Sequence, residues 1–249
     1  MAKKIHLILL FLLAPLCAGA YTVVIDAGHG GKDAGALGQT AKEKNINLAV
    51  ALALGQKIKA NCPDVKVIYT RSTDVFIELN ERANIANRNK ADLFISIHTN
   101  STAAGQKGTT AHGTETYTLG MHRMAENLAV AKRENSVITL ENNYEQKYEG
   151  FDPKSSESYI IFELMQDNNM AASVKLARKI QNQFTQTAGR VNKGVYQAGF
   201  LVLRATSMPS ALVELGYINN PEEEQYLSSE AGQQAMAESI FRAFNEYYK

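Results

Sequence analysis

Residues 21–33 read Tyr-Thr-Val-Val-Ile-Asp-Ala-Gly-His-Gly-Gly-Lys-Asp, and this stretch decides the fold class. Thr22-Val23-Val24-Ile25 is a β-branched run without polar alternation, the pattern of a strand covered on both faces. It enters a glycine-rich loop over 28–38, after which residues 43–60 carry helical periodicity. The rhythm continues with predicted strands at 65–69, 93–97 and 114–119, helices at 78–89 and 173–185, and a strand opening with Ala211-Leu212-Val213. Pro221 opens a further helix behind Asn220 as its cap, with three glutamates in the first turn, and a last helix covers about 232–247. Alternation of this kind predicts an α/β domain with a mainly parallel sheet.

The chain has 249 residues, 45% hydrophobic and 20% charged, enough to bury a substantial core. Its 26 basic and 25 acidic side chains nearly cancel, which argues against a nucleic-acid partner held by bulk positive charge. Residues 1–20 read as a secretory signal, removed from the mature chain: Lys3 and Lys4 lead an apolar stretch over 5–16, and Ala18-Gly19-Ala20 is an A-x-A cleavage site. Cys17 raises a lipoprotein alternative, although Pro15-Leu16 lacks the small residues such processing favours. Cleavage after Ala20 would leave residues 21–249 as one exported domain, with Cys62 as the remaining cysteine and no membrane span expected.

One stretch breaks the rhythm. Residues of about 121–170 form a charge- and amide-rich insertion between a strand and the helix that should follow it. It reads either as a solvated excursion or as a functional segment.

Three predicted strands run into an ionisable residue: the first reaches His29, the third ends at His98, and the last ends at Glu214. In an open parallel sheet the carboxyl ends of the strands share one edge, so these side chains should meet in one crevice. Glu43 shares a helical face with Ile46, Val50 and Leu54, and a carboxylate on such a face must be paired, protonated or metal-bound. A helix N-terminal acid is the simpler reading of Glu43, as structural burial is of the histidines. Two imidazoles and one carboxylate make a three-ligand zinc site with an open position, and Glu214 would then be the general base. Gly28 to Asp33 fits neither G-x-G-x-x-G nor the Walker pattern, and no G-x-S-x-G occurs, which disfavours nucleotide binding and a serine hydrolase.

Further blocks are Thr70-Arg71 with Asp74, Leu79 and Arg82; Ser96-Ile97-His98-Thr99-Asn100; Ala198-Gly199-Phe200-Leu201-Val202-Leu203-Arg204; and Val213-Glu214-Leu215-Gly216-Tyr217-Ile218-Asn219-Asn220. With the His29 loop and Glu43, they make the chain resemble the zinc-dependent N-acetylmuramoyl-L-alanine amidases of the amidase-3 group, over essentially all of residues 21–249. The resemblance implies an α/β/α sandwich around a mixed sheet of about six strands, zinc bound by His29, Glu43 and His98, and Glu214 as the catalytic glutamate. It also implies a peptidoglycan substrate cut between N-acetylmuramic acid and L-alanine, and a periplasmic or envelope location. Thr99 and Tyr217 depart from the common Ala and Phe, and His112 and His122 match no ligand. With Tyr21 at the start of the first strand, no dedicated wall-binding domain is expected. A zinc peptidase acting within the stem peptide and an inactive wall-binding module are the rival readings. In regulated members a helix covers the site until an activator protein displaces it. Residues 123–133 have helix-forming composition, which aligns Glu134, with Glu141 as the fallback, with the inhibitory ligand on that helix.

Overall fold

The computed structural model describes residues 20–102, 109–122, 124–163 and 168–249, so residues 1–19 of the proposed signal segment and Arg123 lie outside the described residues. In chain order the elements are β1 (Tyr21–Ala27), α1 (Glu43–Asn61), β2 (Val65–Tyr69), α2 (Leu79–Arg88), β3 (Leu93–Asn100), β4 (Thr114–Leu119) and α3 (Ala125–Asn135). There follow α4 (Tyr144–Lys147), α5 (Met170–Ala188), β5 (Asn192–Ala198), α6 (Leu201–Arg204), β6 (Ser210–Tyr217), α7 (Pro221–Ser228) and α8 (Glu230–Tyr248). The six strands form one mixed sheet in the order β2-β1-β3-β6-β4-β5. β2, β1, β3 and β6 run parallel, whereas β4 is antiparallel to β6 and carries β5 parallel to itself at the edge.

Side chains alternate across each strand, so the uniform β-branched runs feed two cores. Val23, Ile25, Leu93, Ile95, Ala211 and Val213 face one side, where Ile46, Val50 and Leu54 of α1 meet Leu176, Ile180 and Phe184 of α5 and Met236, Ile240 and Phe244 of α8. Cys62 is buried in this core as a free thiol. Val24, Phe94 and Leu212 face the other side, against Leu79 and Ala86 of α2 and Leu201 to Leu203 of α6. The result is a three-layer α/β/α sandwich. Among the described residues no helix is long and apolar enough to cross a membrane.

Among the strands, two depart from the sequence expectation. β3 continues past Ile97 to Asn100, because β6 pairs with it as far as Asn100↔Tyr217 across a register irregularity. β5 was not expected: as an edge strand it is half-buried, and Gly194 at φ 130 interrupts its apolar pattern.

The insertion is not a solvated excursion. Val130, Ala131, Val137, Ile138, Tyr148, Phe151, Tyr159 and Phe162 all belong to the second core. Asn135 pins the end of α3, donating to the Gly199 carbonyl at 2.7 Å and accepting from Leu201 N at 2.9 Å. Its polar composition is real, but it faces outward over an apolar underside. Ile138 is fully buried, so Ile138→Ala should lower the unfolding free energy by about 2–5 kcal/mol in denaturant titration, against under about 0.5 kcal/mol for a solvated loop.

Candidate metal centre

The carboxyl ends of β1, β3 and β6 lie side by side, with His98 and Glu214 as register partners. The loop leaving β1 is fixed before it reaches the site. Gly28 N donates to the Ile97 carbonyl at 3.0 Å, and His29 adopts a left-handed φ of 62, uncommon for a residue with a Cβ. Two buried arginines hold the backbone there. Arg71 donates to the carbonyls of Ala27 and Gly28, each at 2.8 Å, and Arg82 donates to those of Ala27 at 2.8 Å and His29 at 2.9 Å. Arg82 is itself paired with Asp26 at 2.8 Å, both fully or almost fully buried, and Thr70 and Ser96 donate to the same carboxylate. Burial opposes the Asp26 charge, but Arg82, Thr70 and Ser96 outweigh it and hold the carboxyl below its usual range. A Cβ on Gly28 would come within 2.4 Å of the His98 ring, so only glycine lets that imidazole lie against the loop.

Four ligand atoms then converge. Glu43 Oε1 stands 3.1 Å from His29 Nε2 and 3.2 Å from His98 Nδ1; Glu134 Oε2 stands 3.0 Å and 2.9 Å from the same two nitrogens. All four lie within 4.8 Å of one another and all four residues are buried. Each is also oriented from behind. Asp33 Oδ2 sits 2.7 Å from His29 Nδ1, which assigns the proton to that nitrogen and turns the Nε2 lone pair inward. Glu43 accepts from Ala36 N at 2.7 Å, Thr99 N at 2.9 Å and Asn47 Nδ2 at 3.1 Å. The Thr99 hydroxyl donates to Asn47 Oδ1 at 2.9 Å, which gives this departure from Ala a role in aiming the amide. The Tyr217 hydroxyl likewise donates to Glu115 at 2.6 Å.

The donor set fits a divalent cation. With neutral imidazoles the four buried groups carry two negative charges, of which Arg133 offsets one at Glu134, and the remainder is tolerated only with positive charge among them. His98 Nδ1 supplies the clearest sign: it is within salt-bridge distance of two carboxylates yet aligned with neither as a hydrogen bond. That geometry is expected of lone pairs sharing one central point. Burial would depress both imidazoles, but Glu43, Asp33 and Glu134 drive His29 well above its ordinary value, and Glu134 and Glu43 push His98 up to about 9. The carboxylates that favour charged imidazoles would favour a bound cation for the same reason. Coulombic attraction to His29 overcomes burial and keeps the Glu43 carboxyl well below its usual range.

Glu214 is different. It is 1% exposed, and neither of its oxygens accepts a hydrogen bond. Burial, reinforced by Glu134 and Glu43, holds its carboxyl well above the ordinary value despite Arg133 and His98. A carboxyl poised in this way can take and return a proton.

The structure therefore brings together His29, Glu43, His98, Glu134 and Glu214. Glu141 lies elsewhere: its carboxylate accepts from Leu79 N at 2.9 Å and from the Tyr148 hydroxyl, so it caps α2, and the fallback assignment is withdrawn. His112 is exposed and contacts the Thr110 carbonyl. Sequence reasoning assigned no role to Asp33, Arg71, Arg82 or Arg133. Arg82 carried a readable signal, a charge on the same α2 face as Leu79, Ala83 and Ala86, whereas Arg133 becomes meaningful only once α3 is placed. Cavities of about 770 Å³ and 270 Å³ flank the centre, the first lined by Ala36, Asn100 and Tyr217, the second by His29, Glu43 and Leu140.

Comparison with known proteins agrees with this geometry. A family model described as N-acetylmuramoyl-L-alanine amidase matches residues 23–246. The chain is 34% identical over 227 residues to the uncharacterised protein YqiI of Bacillus subtilis, covering 91% of this chain and 84% of that one. It is 32% identical over 233 residues to N-acetylmuramoyl-L-alanine amidase AmiA of Escherichia coli, covering 92% and 77% respectively. Among solved structures, an N-acetylmuramoyl-L-alanine amidase from Clostridium difficile 630 superposes with a TM-score of 0.68 at 28% identity, over 93% of this chain and 98% of that one. A match running from β1 to the last helix takes in every residue of the centre, and the chain belongs to the N-acetylmuramoyl-L-alanine amidase family of peptidoglycan hydrolases.

Proposed function

We propose that the chain hydrolyses the amide between the lactyl group of N-acetylmuramic acid and L-alanine, with zinc held by His29, Glu43 and His98 and with Glu214 as general base and acid. The observation that carries this reading is the convergence of two imidazoles and Glu43 on one point beside a buried carboxyl that accepts no hydrogen bond. Two nitrogen donors and a carboxylate suit zinc among the common divalent ions. When bound, zinc supplies Lewis acidity that polarises the scissile carbonyl and eases deprotonation of water. Glu214 takes the proton as the water oxygen bonds to the carbonyl carbon. It then passes that proton to the L-alanine nitrogen as the carbon–nitrogen bond breaks, leaving a lactyl carboxylate and a free amine. The open cavity lined by Asn100 and Tyr217 is the approach for the substrate.

Export follows from the signal-like residues 1–20, with lipidation at Cys17 as the alternative, and it delivers residues 21–249 to the envelope where the polymer lies. Residues 23–246, matched by the family model, support reading that segment as the catalytic domain.

Glu134 Oε2 stands 3.0 Å from His29 Nε2 and 2.9 Å from His98 Nδ1, where it would compete with an incoming water or carbonyl, and this supports α3 as an inhibitory element that a partner protein must lift. Closure need be favoured by only about 2–3 kcal/mol to leave under a few per cent of the chains open.

Metal analysis should return one zinc per chain, lost in His98→Ala; tight zinc in that variant would remove His98 from the ligand set. Digestion of purified peptidoglycan should release peptides beginning with L-alanine. Masses corresponding to cuts within the stem would favour a peptidase, and no products from the activated chain a wall-binding module. Glu214→Gln should keep metal and fold while slowing release by at least about 10²-fold, and near-normal turnover would place the base elsewhere. Glu134→Ala should raise basal cleavage about tenfold or more at constant zinc content. A rate at or below wild type would make α3 a wall of the substrate groove instead.

A further inference from the structure

α3 carries two charges into the site, and the second belongs to the residue beside Glu134. The Arg133 guanidinium donates Nε to Glu134 Oε1 at 2.9 Å, Nη1 to the Ser101 carbonyl at 2.8 Å and Nη2 to Asn100 Oδ1 at 2.9 Å. The same Nη2 stands 3.6 Å from Glu214 Oε1, the one ion pair that Glu214 makes among the described residues. Asn100 ends β3 and Ser101 follows it, so the guanidinium bridges α3 both to the strand that carries His98 and to the glutamate on β6. Arg133 also lines both cavities that flank the centre.

We infer that Arg133 is a second lock on the closed site, engaging the base while Glu134 engages the metal position. The inference rests on the closed-state reading given above. The two locks differ in what they need. Glu134 is drawn down by a cation and by the imidazoles, and it faces repulsion from the Glu43 and Glu214 carboxylates. The partners of Arg133 are all protein groups, and it meets the two carboxylates at its tip with opposite charge. Its hold therefore persists without metal. A guanidinium seated on Asn100 and against Glu214 also covers the base on the side of the larger cavity, which Arg133 and Asn100 both line. Freeing the metal position alone leaves the base covered, so opening requires the two residues to leave together, as adjacent positions on one helix do.

The test is hydrogen exchange of the α3 amides, 125–135, in zinc-loaded and metal-depleted protein. Arg133→Ala should accelerate exchange about fivefold or more, the scale of a charge-assisted hydrogen bond at a partly exposed site. The acceleration should be larger in the metal-depleted protein, where Glu134 has lost its cation. In a Glu214→Gln background the effect of Arg133→Ala should shrink, since the partner charge is gone. Unchanged exchange in Arg133→Ala overturns the proposal. Equal acceleration in both backgrounds also overturns it, assigning the hold to Asn100 and Ser101 alone. Peptidoglycan turnover separates this lock from the first: Arg133→Ala with Glu134 intact should raise basal cleavage, and the double variant should exceed Glu134→Ala. If Glu134→Ala accelerates cleavage and Arg133→Ala adds nothing, the plug stands and the second lock falls. If neither accelerates it, the closed-state reading falls and takes this inference with it.

Discussion

Two carboxylates and two imidazoles, buried with their ligand atoms within 4.8 Å of one another, repel unless positive charge sits among them. That requirement governs much of the surrounding architecture. A divalent cation meets it directly, and the same carboxylates drive both imidazoles upward against their own burial. Groups held so close also demand rigid backing. Asp33, Asn47 and Thr99 each contribute a hydrogen bond whose effect is to aim a ligand, as outer partners do at metal sites generally.

The sheet places these groups, and the arginines keep them placed. Parallel β1, β3 and β6 present their carboxyl ends together, which makes His98 and Glu214 neighbours although 116 positions separate them. The His29 loop has no such ladder beyond Gly28, and its left-handed residue is intrinsically disfavoured. Arg71 and Arg82 supply the missing restraint by binding three successive carbonyls, and Asp26 neutralises Arg82 in the interior. Removing one partner of such a buried pair typically costs about 3–5 kcal/mol, because the other charge is left uncompensated. Stability and catalysis therefore share these residues.

The insertion joins two tasks that are usually separate. Its apolar underside completes the second core, and its Asn135 is bonded to Gly199 and Leu201, so the carboxyl end of α3 is anchored. The charged residues just before that anchor reach the centre. A helix anchored at one end, with polar contacts worth a few kcal/mol at the point of closure, can shift between states without unfolding the domain.

The sequence by itself determined the α/β class and the main strands and helices, and it pointed to His29, Glu43, His98 and Glu214 as side chains that meet at one sheet edge, because each carries a local signature. Uniform β-branched runs mark buried strands, ionisable residues at strand ends mark an edge, and a carboxylate on the apolar face of α1 marks a demand for a partner. Glu134 was reached through family likeness, not through any pattern of its own. Only the tertiary structure decided that β4 turns antiparallel, that β5 exists at the edge, and that the polar insertion is a core layer. Those outcomes depend on what packs against a segment, which local composition does not encode. The same holds for Arg133 and Glu141, charged residues eight positions apart on the insertion: one meets Glu214 and the other caps α2, and that difference arises from where α3 ends.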